Sequence, residues 1–374
     1  MVTARFRGPG AYTQEPMGRE RAQQTKKAEA RATRAFTWAR LGDDELLDLK
    51  LRDLGLTVED SPVAAHVARL DDELARKGLA FRPYTWLSTD WFTPDACTGF
   101  AIPFYLAHPR LVRLERSQML EVEGGTQDEC LRILRHEAAH ALDNAYGLRR
   151  RKRWRELFGS PTEPYEASYS PDPTSRAHVY NLGYWYSQSH PLEDWAETFA
   201  VWLSSGGRWK TRYANWPALQ KLEYTDDLMR ELATKKPRLR TRTREDSLPS
   251  LRLTLREYYA RKQSTYTDEA NPAFDGQLAR VFPPRTSNQT AKRAATFLRA
   301  HRTNLVRRVS AATGQNRYLL DHVVREMIAR SATQDLTVPG RATGSNPEAL
   351  VEAAILLTSF TGNYLFGTHP RYQR

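Results

Sequence analysis

Five consecutive residues, His136, Glu137, Ala138, Ala139 and His140, have the types and spacing of a metal site with a base beside it. On a helix, positions i and i+4 lie one turn apart on one face, so His136 and His140 can hold one ion between them. Glu137 is rotated round the axis and can reach a water on that ion. This H-E-x-x-H pattern supplies two ligands and a general base for hydrolysis. A hydrolytic zinc needs three protein ligands and one open position for water. The third must come from elsewhere. The stretch after His140, ALDNAYGLRR, has no histidine, which excludes the metzincin pattern of a third histidine close behind the motif. A later segment, HPLEDWAETF, places Glu193 and Glu197 at i and i+4. One of them can coordinate, and the other can hydrogen-bond a histidine ligand from behind.

The elements that must position these groups are legible in outline. Thr126-Gln127-Asp128-Glu129 reads as a capping box, Leu131, Leu134, Ala138, Ala141, Leu142 and Ala145 as the buried stripe, and Gly147 as the C-cap of the His136 helix. Pro191 suits the first turn of the second helix. Leu192, Ala196, Phe199, Ala200 and Leu203 form its apolar stripe, and Gly206-Gly207 ends it. Upstream, helices are expected over Asp44–Leu54, ending at Gly55, and after Ser61-Pro62, with Val63, Val67, Leu70 and Leu74 inward and Gly78 closing. Phe81–Ser88, Phe100–Ala107 and Leu111–Glu115 read as short strands. Pro103 makes FAIPFYLA an edge strand that could pair with an extended peptide. Residues 148–157 read as a basic, solvated helix face and 158–183 as a long irregular connection of the kind that often carries function. Beyond residue 212 the pattern is helical and basic: 216–233, 251–262, 292–312, 318–331 and 347–359, with KKPRLRTRTRE (235–245) as a charged linker.

RHEAAHALDNAYG followed by YSQSHPLEDWAETFAVWL resembles the zinc-binding metallopeptidases of bacteria, which show a similar HP-x-EDxAETxA signature. The same pair of segments is similar to the catalytic domains of anthrax lethal factor and of the Mlc titration factor A peptidases. A glutamate on a second helix as third ligand is the gluzincin arrangement. The resemblance spans roughly residues 80–205 and implies a single zinc ion held by His136, His140 and Glu193, with Glu197 behind a histidine and Glu137 as base. It also implies that Tyr186, seven residues before Glu193, donates to the oxyanion, with His190 as the alternative donor. Asp143 either orients a ligand or loop or is a surface acid. The expected fold is α+β: a zincin-like domain, with a small mixed sheet, the H-E-x-x-H helix and the glutamate helix, and a helical C-terminal region.

Composition bounds the rest. The chain has 374 residues, 40% hydrophobic and 27% charged, which suits two domains in a soluble globular protein. We expect a basic leader over 1–35, the metallopeptidase domain over 36–211 and the helical region over 212–374. No apolar run reaches the roughly 18 residues of a membrane helix, and the N-terminus lacks the apolar core of a secretory signal, so a cytoplasmic location is the default expectation. Cys97 and Cys130 form no C-x-x-C pair and read as small buried hydrophobes. The formal charge of +12 admits nucleic acid as a partner, yet no nucleic-acid motif accompanies it; Arg293, Arg299, Arg302, Arg307 and Arg308 read as a wet helix face. The expected substrate is a peptide or protein. The competing readings are a non-proteolytic zinc-containing binding module and a nucleic-acid-associated protein with a structural zinc. An intact Glu137 argues against both, because a structural site needs no base.

Overall fold

The computed structural model describes residues 36–166, 169–204, 206–266, 273–286, 292–339 and 346–366. The expected leader, 1–35, lies outside the described residues. The described chain opens with a 3-10 turn, Thr37–Arg40, and helix α1, Asp43–Leu47. The single helix expected over Asp44–Leu54 is broken after α1. Leu49 and Leu51 spend their backbone groups on a distant segment: Leu255 N donates to Leu49 O at 2.9 Å and Leu51 N to Leu253 O at 3.0 Å. Leu51–Leu54 then forms a 3-10 turn that ends at Gly55 with φ 63°, a conformation glycine adopts without steric cost. Helix α2, Val63–Arg76, buries Val63, Leu70 and Leu74 of the expected stripe, with Val67 partly buried against the core.

Strands β1, Tyr84–Ser88, and β2, Gly99–Pro103, run parallel, with Trp86 opposite Ala101. β2 pairs with β1 on one side and is partly covered on the other. All five of its residues are buried, and Ala101 donates its N–H to Phe92 O at 2.8 Å, forming an antiparallel bridge. Pro103 is tolerated because it is the last residue of the strand. Phe104–Ala107 turns away as a 3-10 helix. The expected third strand, Leu111–Glu115, is instead part of helix α3, Pro109–Met119. Its start signal was legible: Pro109 stands at the first position, and His108 accepts the Arg110 N–H at 3.1 Å. The short apolar run disguised it, but Leu111 and Leu114 are buried at i and i+3, a helical spacing.

Helix α4, Gln127–Tyr146, carries the H-E-x-x-H residues. Helix α5, Lys152–Phe158, follows a 3-10 turn over Leu148–Arg150, and buries Trp154 and Phe158 on the inner side of the basic stretch. Helix α6, Pro191–Ser204, carries Glu193 and Glu197. Then come α7, Trp209–Arg212, α8, Ala218–Leu232, and α9, Leu255–Ser264. Helices α10, Ala273–Val281, α11, Ala294–Thr313, α12, Arg317–Thr333, and α13, Pro347–Phe366, complete the described elements. Among the described residues the fold is mostly helical with one small two-stranded sheet, and the metal-site residues stand on separate helices, a zincin-like topology. No helix among them is long and apolar enough to cross a membrane.

Among the described residues two large hydrophobic cores form, beside a small cluster of Trp86, Cys97 and Ala101. The first runs from Trp38 to Tyr259 and takes in Tyr318; the second gathers Leu278 to Phe360 from α10–α13. The first core extends across residues 211–212. Ala218, Leu222, Leu228, Met229 and Leu232 of α8 pack into the first core. The expected linker, 235–245, is likewise bound to the first unit. Thr98 Oγ1 donates to Thr241 O at 2.7 Å, Trp86 Nε1 to Glu245 O at 2.8 Å and Ser88 Oγ to Asp246 O at 2.7 Å. Its arginines remain exposed, so the charge pattern that suggested a linker belongs to one side of a segment whose carbonyls are held by the sheet. In α11 the basic face is partly paired, since Arg302 donates through both Nε and Nη2 to Asp321 at 2.5 and 2.6 Å.

One buried ion pair fixes α2 against α4. Arg135, next to the first metal-motif histidine, donates from Nε and Nη2 to the two Glu73 oxygens at 2.7 and 2.8 Å, with both side chains 8% exposed. Removing one partner leaves an uncompensated buried charge. Glu73→Ala is expected to lower unfolding free energy by about 3–5 kcal/mol in urea titration. A loss below about 1 kcal/mol would show that water takes over the guanidinium and that the pair does not hold the helices together.

Candidate metal centre

Helix α4 starts where its sequence says it should. Thr126 accepts the Glu129 N–H at 3.3 Å, half of the expected capping box, and Asp128 and Glu129 place negative charge in the first turn, where the helix dipole favours it. Gly147, at φ 67°, closes the helix. Helix α6 starts at Pro191 behind His190, whose Nδ1 accepts the Leu192 N–H at 3.1 Å. The two helices pack tightly: Trp195 Nε1 donates across to Ala139 O at 3.2 Å, and Trp195 and Ala139 are both fully buried.

This packing brings three side-chain atoms to one point. His136 Nε2 lies 2.9 Å from Glu193 Oε2 and 3.1 Å from His140 Nε2, and His140 Nε2 lies 3.4 Å from Glu193 Oε2. A tetrahedral ion with bonds of about 2.0–2.1 Å sets its ligands roughly 3.3 Å apart, so the spacing suits one. The surroundings of His136 suit the same arrangement. Its Nδ1 is 2.9 Å from Glu197 Oε1, which can take the ring N–H, while Nε2 faces the Glu193 carboxylate. Acceptors converging in a buried pocket need a cation between them. His136 and Glu193 are buried and His140 nearly so. Among the described residues, this is the one His/Cys/Asp/Glu cluster with such spacing.

Glu197 does not face that point. Besides His136 it accepts Asn181 Nδ2 at 2.9 Å and Leu182 N at 2.7 Å, so its carboxylate is fully engaged behind the histidine. Asp194, between the two glutamates in sequence, turns away to Lys221 Nζ at 2.5 Å; burial pushes its carboxyl up to about 7 although Lys221 opposes the shift. Glu137, which follows His136 on α4, is 7% exposed, and its Oε2 accepts the Thr93 hydroxyl at 2.7 Å.

Tyr186 lies on a 3-10 turn over Gly183–Gln188, half-buried, with its ring 5.7 Å from that of His136. The two residues before it are strained: Tyr184 and Trp185 have φ 59° and 52°, a region bulky side chains enter at a cost of about 1–2 kcal/mol each. The surroundings hold them there. Tyr169 donates its hydroxyl to Tyr184 O at 2.9 Å, Ser187 Oγ donates to Val179 O at 2.8 Å, and the Tyr184 ring lies against Gly314, the residue that ends α11. A side chain at Gly314 would sit 3.1 Å from that ring, so glycine permits the approach of the C-terminal bundle to the site.

One expectation changes and one open choice is narrowed. His190 is not placed as an oxyanion donor: Nδ1 accepts from Leu192 N, and Nε2 donates to Glu163 O at 2.9 Å. Asp143 takes the loop-orienting role left open above and is not a surface acid. It is fully buried and binds Arg149 through the backbone N–H, at 2.8 Å, and through the guanidinium, fixing the turn after α4. Three groups went unnoticed in the sequence. Thr93 and Asn181 carry no motif, and only the fold brings them to Glu137 and Glu197. Tyr165, in the irregular connection, donates its hydroxyl to Glu193 Oε1 at 2.9 Å; the unusual length of that connection was the available signal.

Residues 116–236 match the family described as "Putative zinc-binding metallo-peptidase". The matched segment, about a third of the chain, begins inside α3 and ends just past α8, and so contains every residue of the cluster and Glu197. No curated protein and no solved structure matches the chain. The family match and the His-His-Glu cluster together support a metal-dependent hydrolytic function.

Proposed function

We propose that the chain is a zinc-dependent peptidase of gluzincin type, with His136, His140 and Glu193 holding one zinc ion. The observation that carries this reading is the convergence of His136 Nε2, His140 Nε2 and Glu193 Oε2 within 3.4 Å of one another. Two imidazoles and a carboxylate are the donor set of catalytic zinc peptidases, which keep the fourth position open. When bound, zinc acidifies a water and polarises a carbonyl. Glu137 is the base: it takes the water proton and passes it to the leaving amine. The Thr93 hydroxyl orients the Glu137 carboxylate while it does so. Tyr186 donates to the oxygen on which charge develops. Glu197 keeps the His136 proton on Nδ1, which makes Nε2 the ligating atom. Substrate is a peptide or protein; a cytoplasmic location rests on the sequence reading alone.

Purified protein should contain about one zinc per chain by elemental analysis, cleave a mixed peptide library, lose cleavage on treatment with a chelator and regain it with zinc. Stoichiometric zinc without any cleavage would favour the binding-module reading. Chelator-resistant cleavage would end the metallopeptidase reading.

A further inference from the structure

The loop after α5 is strapped onto the start of the glutamate helix. Gly159 packs so closely on Pro191 that an added side chain would meet its Cγ at 3.0 Å. Glu163 O accepts His190 Nε2 at 2.9 Å. With Nδ1 occupied by the Leu192 N–H, the His190 ring is held at both nitrogens and cannot turn. Tyr165 lies flat on that ring, with centroids 3.7 Å apart and planes 22° apart, and its hydroxyl reaches Glu193 Oε1 at 2.9 Å. The other oxygen of the same carboxylate, Oε2, is the one facing His136 and His140. A carboxylate offers two oxygens and can bind an ion through one or both. Here one is engaged by a hydroxyl whose ring is stacked on a fixed platform.

We propose that Tyr165 is a positioning residue of the metal centre. Its hydroxyl holds Glu193 Oε1 away from the ion, so that Glu193 ligates through Oε2 alone and the fourth position stays open for water. The proposal rests on the reading of His136, His140 and Glu193 as ligands. It gives the long connection a role: it presents an aromatic donor to the third ligand, with His190 as a stacking platform in place of the oxyanion role its sequence position suggested. The Tyr165 side chain is 42% exposed, so removing its hydroxyl opens no cavity in the core.

The test compares wild type, Y165F and Y186F, each stripped of metal and reloaded, by chelator competition for zinc and by the visible absorption of the cobalt(II)-substituted protein. Y165F keeps the stacked ring and loses only the hydroxyl. We expect it to bind zinc about tenfold or more weakly, as loss of a hydrogen bond behind a ligand does elsewhere. Its cobalt band should weaken, because Oε1 becomes free to coordinate and four-coordinate cobalt absorbs more strongly than higher-coordinate cobalt. Y186F should match wild type in both measurements, and the metal-free thermal midpoint should be the same for all three. Wild-type zinc affinity together with a wild-type cobalt band in Y165F would overturn the proposal, as would equal losses in Y165F and Y186F. Failure of wild type itself to bind zinc is read separately and would overturn the ligand assignment.

Discussion

Glu137→Gln is expected to retain zinc and to lose peptide cleavage by about 10²–10⁴-fold, the range that general-base catalysis contributes. The substitution keeps the shape of the side chain. Thr93 can still donate its hydroxyl to the amide oxygen, as it now donates to Oε2 at 2.7 Å, so the group stays in place. What is lost is the capacity to accept a proton from water. None of the three converging ligand atoms belongs to Glu137, so metal content should not change. The measurements are zinc by elemental analysis and cleavage of a fluorogenic peptide, with kcat and KM separated. The loss should fall on kcat, since a base acts on the transition state and not on substrate binding. Equal cleavage by both proteins would sink the proposed mechanism. Loss of zinc along with activity would show that Glu137 supports the metal site itself.

The second large effect separates the two glutamates of α6. Glu193→Ala should abolish stoichiometric zinc binding, because it removes one of three protein ligands and leaves two imidazoles in a buried pocket. Glu197→Ala should weaken zinc by about 10–100-fold and leave the site able to load at high metal concentration. The difference in kind follows from where the carboxylates point: Glu193 Oε2 faces both histidines, whereas Glu197 is engaged by His136 Nδ1, Asn181 and the Leu182 N–H. Equilibrium dialysis against buffered zinc checks the order. If Glu197→Ala empties the site and Glu193→Ala does not, the assignment of the two residues is reversed.

The parts of this site that were legible in the sequence share a physical property: they repeat with the period of one helix. His136 and His140, and Glu193 and Glu197, are each four apart, so the backbone alone sets each pair on one face. Thr126, Gly147 and Pro191 marked the ends of the two helices through local turn chemistry. Local signals misled where a long-range partner or burial prevailed. The helix expected through Leu54 is interrupted because Leu49 and Leu51 bond to residues near Leu253. In FAIPFYLA only Phe100–Pro103 is strand: Phe92 folds back to bridge Ala101, and Phe104–Ala107 turns away as a 3-10 helix. The Arg-rich run at 235–245 is held down by its carbonyls, which leave no trace in side-chain composition.

The sequence by itself determined the chemistry on offer: two imidazoles and a base on one helix, and two carboxylates on another. It left the roles within the second helix to resemblance, because i and i+4 place Glu193 and Glu197 on the same face without saying which turns forward. The tertiary structure decided that. The crossing of α4 and α6 at Trp195 and Ala139 sets Glu193 Oε2 opposite the two Nε2 atoms and sends Glu197 to His136 Nδ1. It also recruited Thr93, Asn181 and Tyr165, whose contacts depend on how three loops lie on the helices. Contacts between residues far apart in the chain follow from packing of the whole core, and no spacing rule within a single helix encodes them.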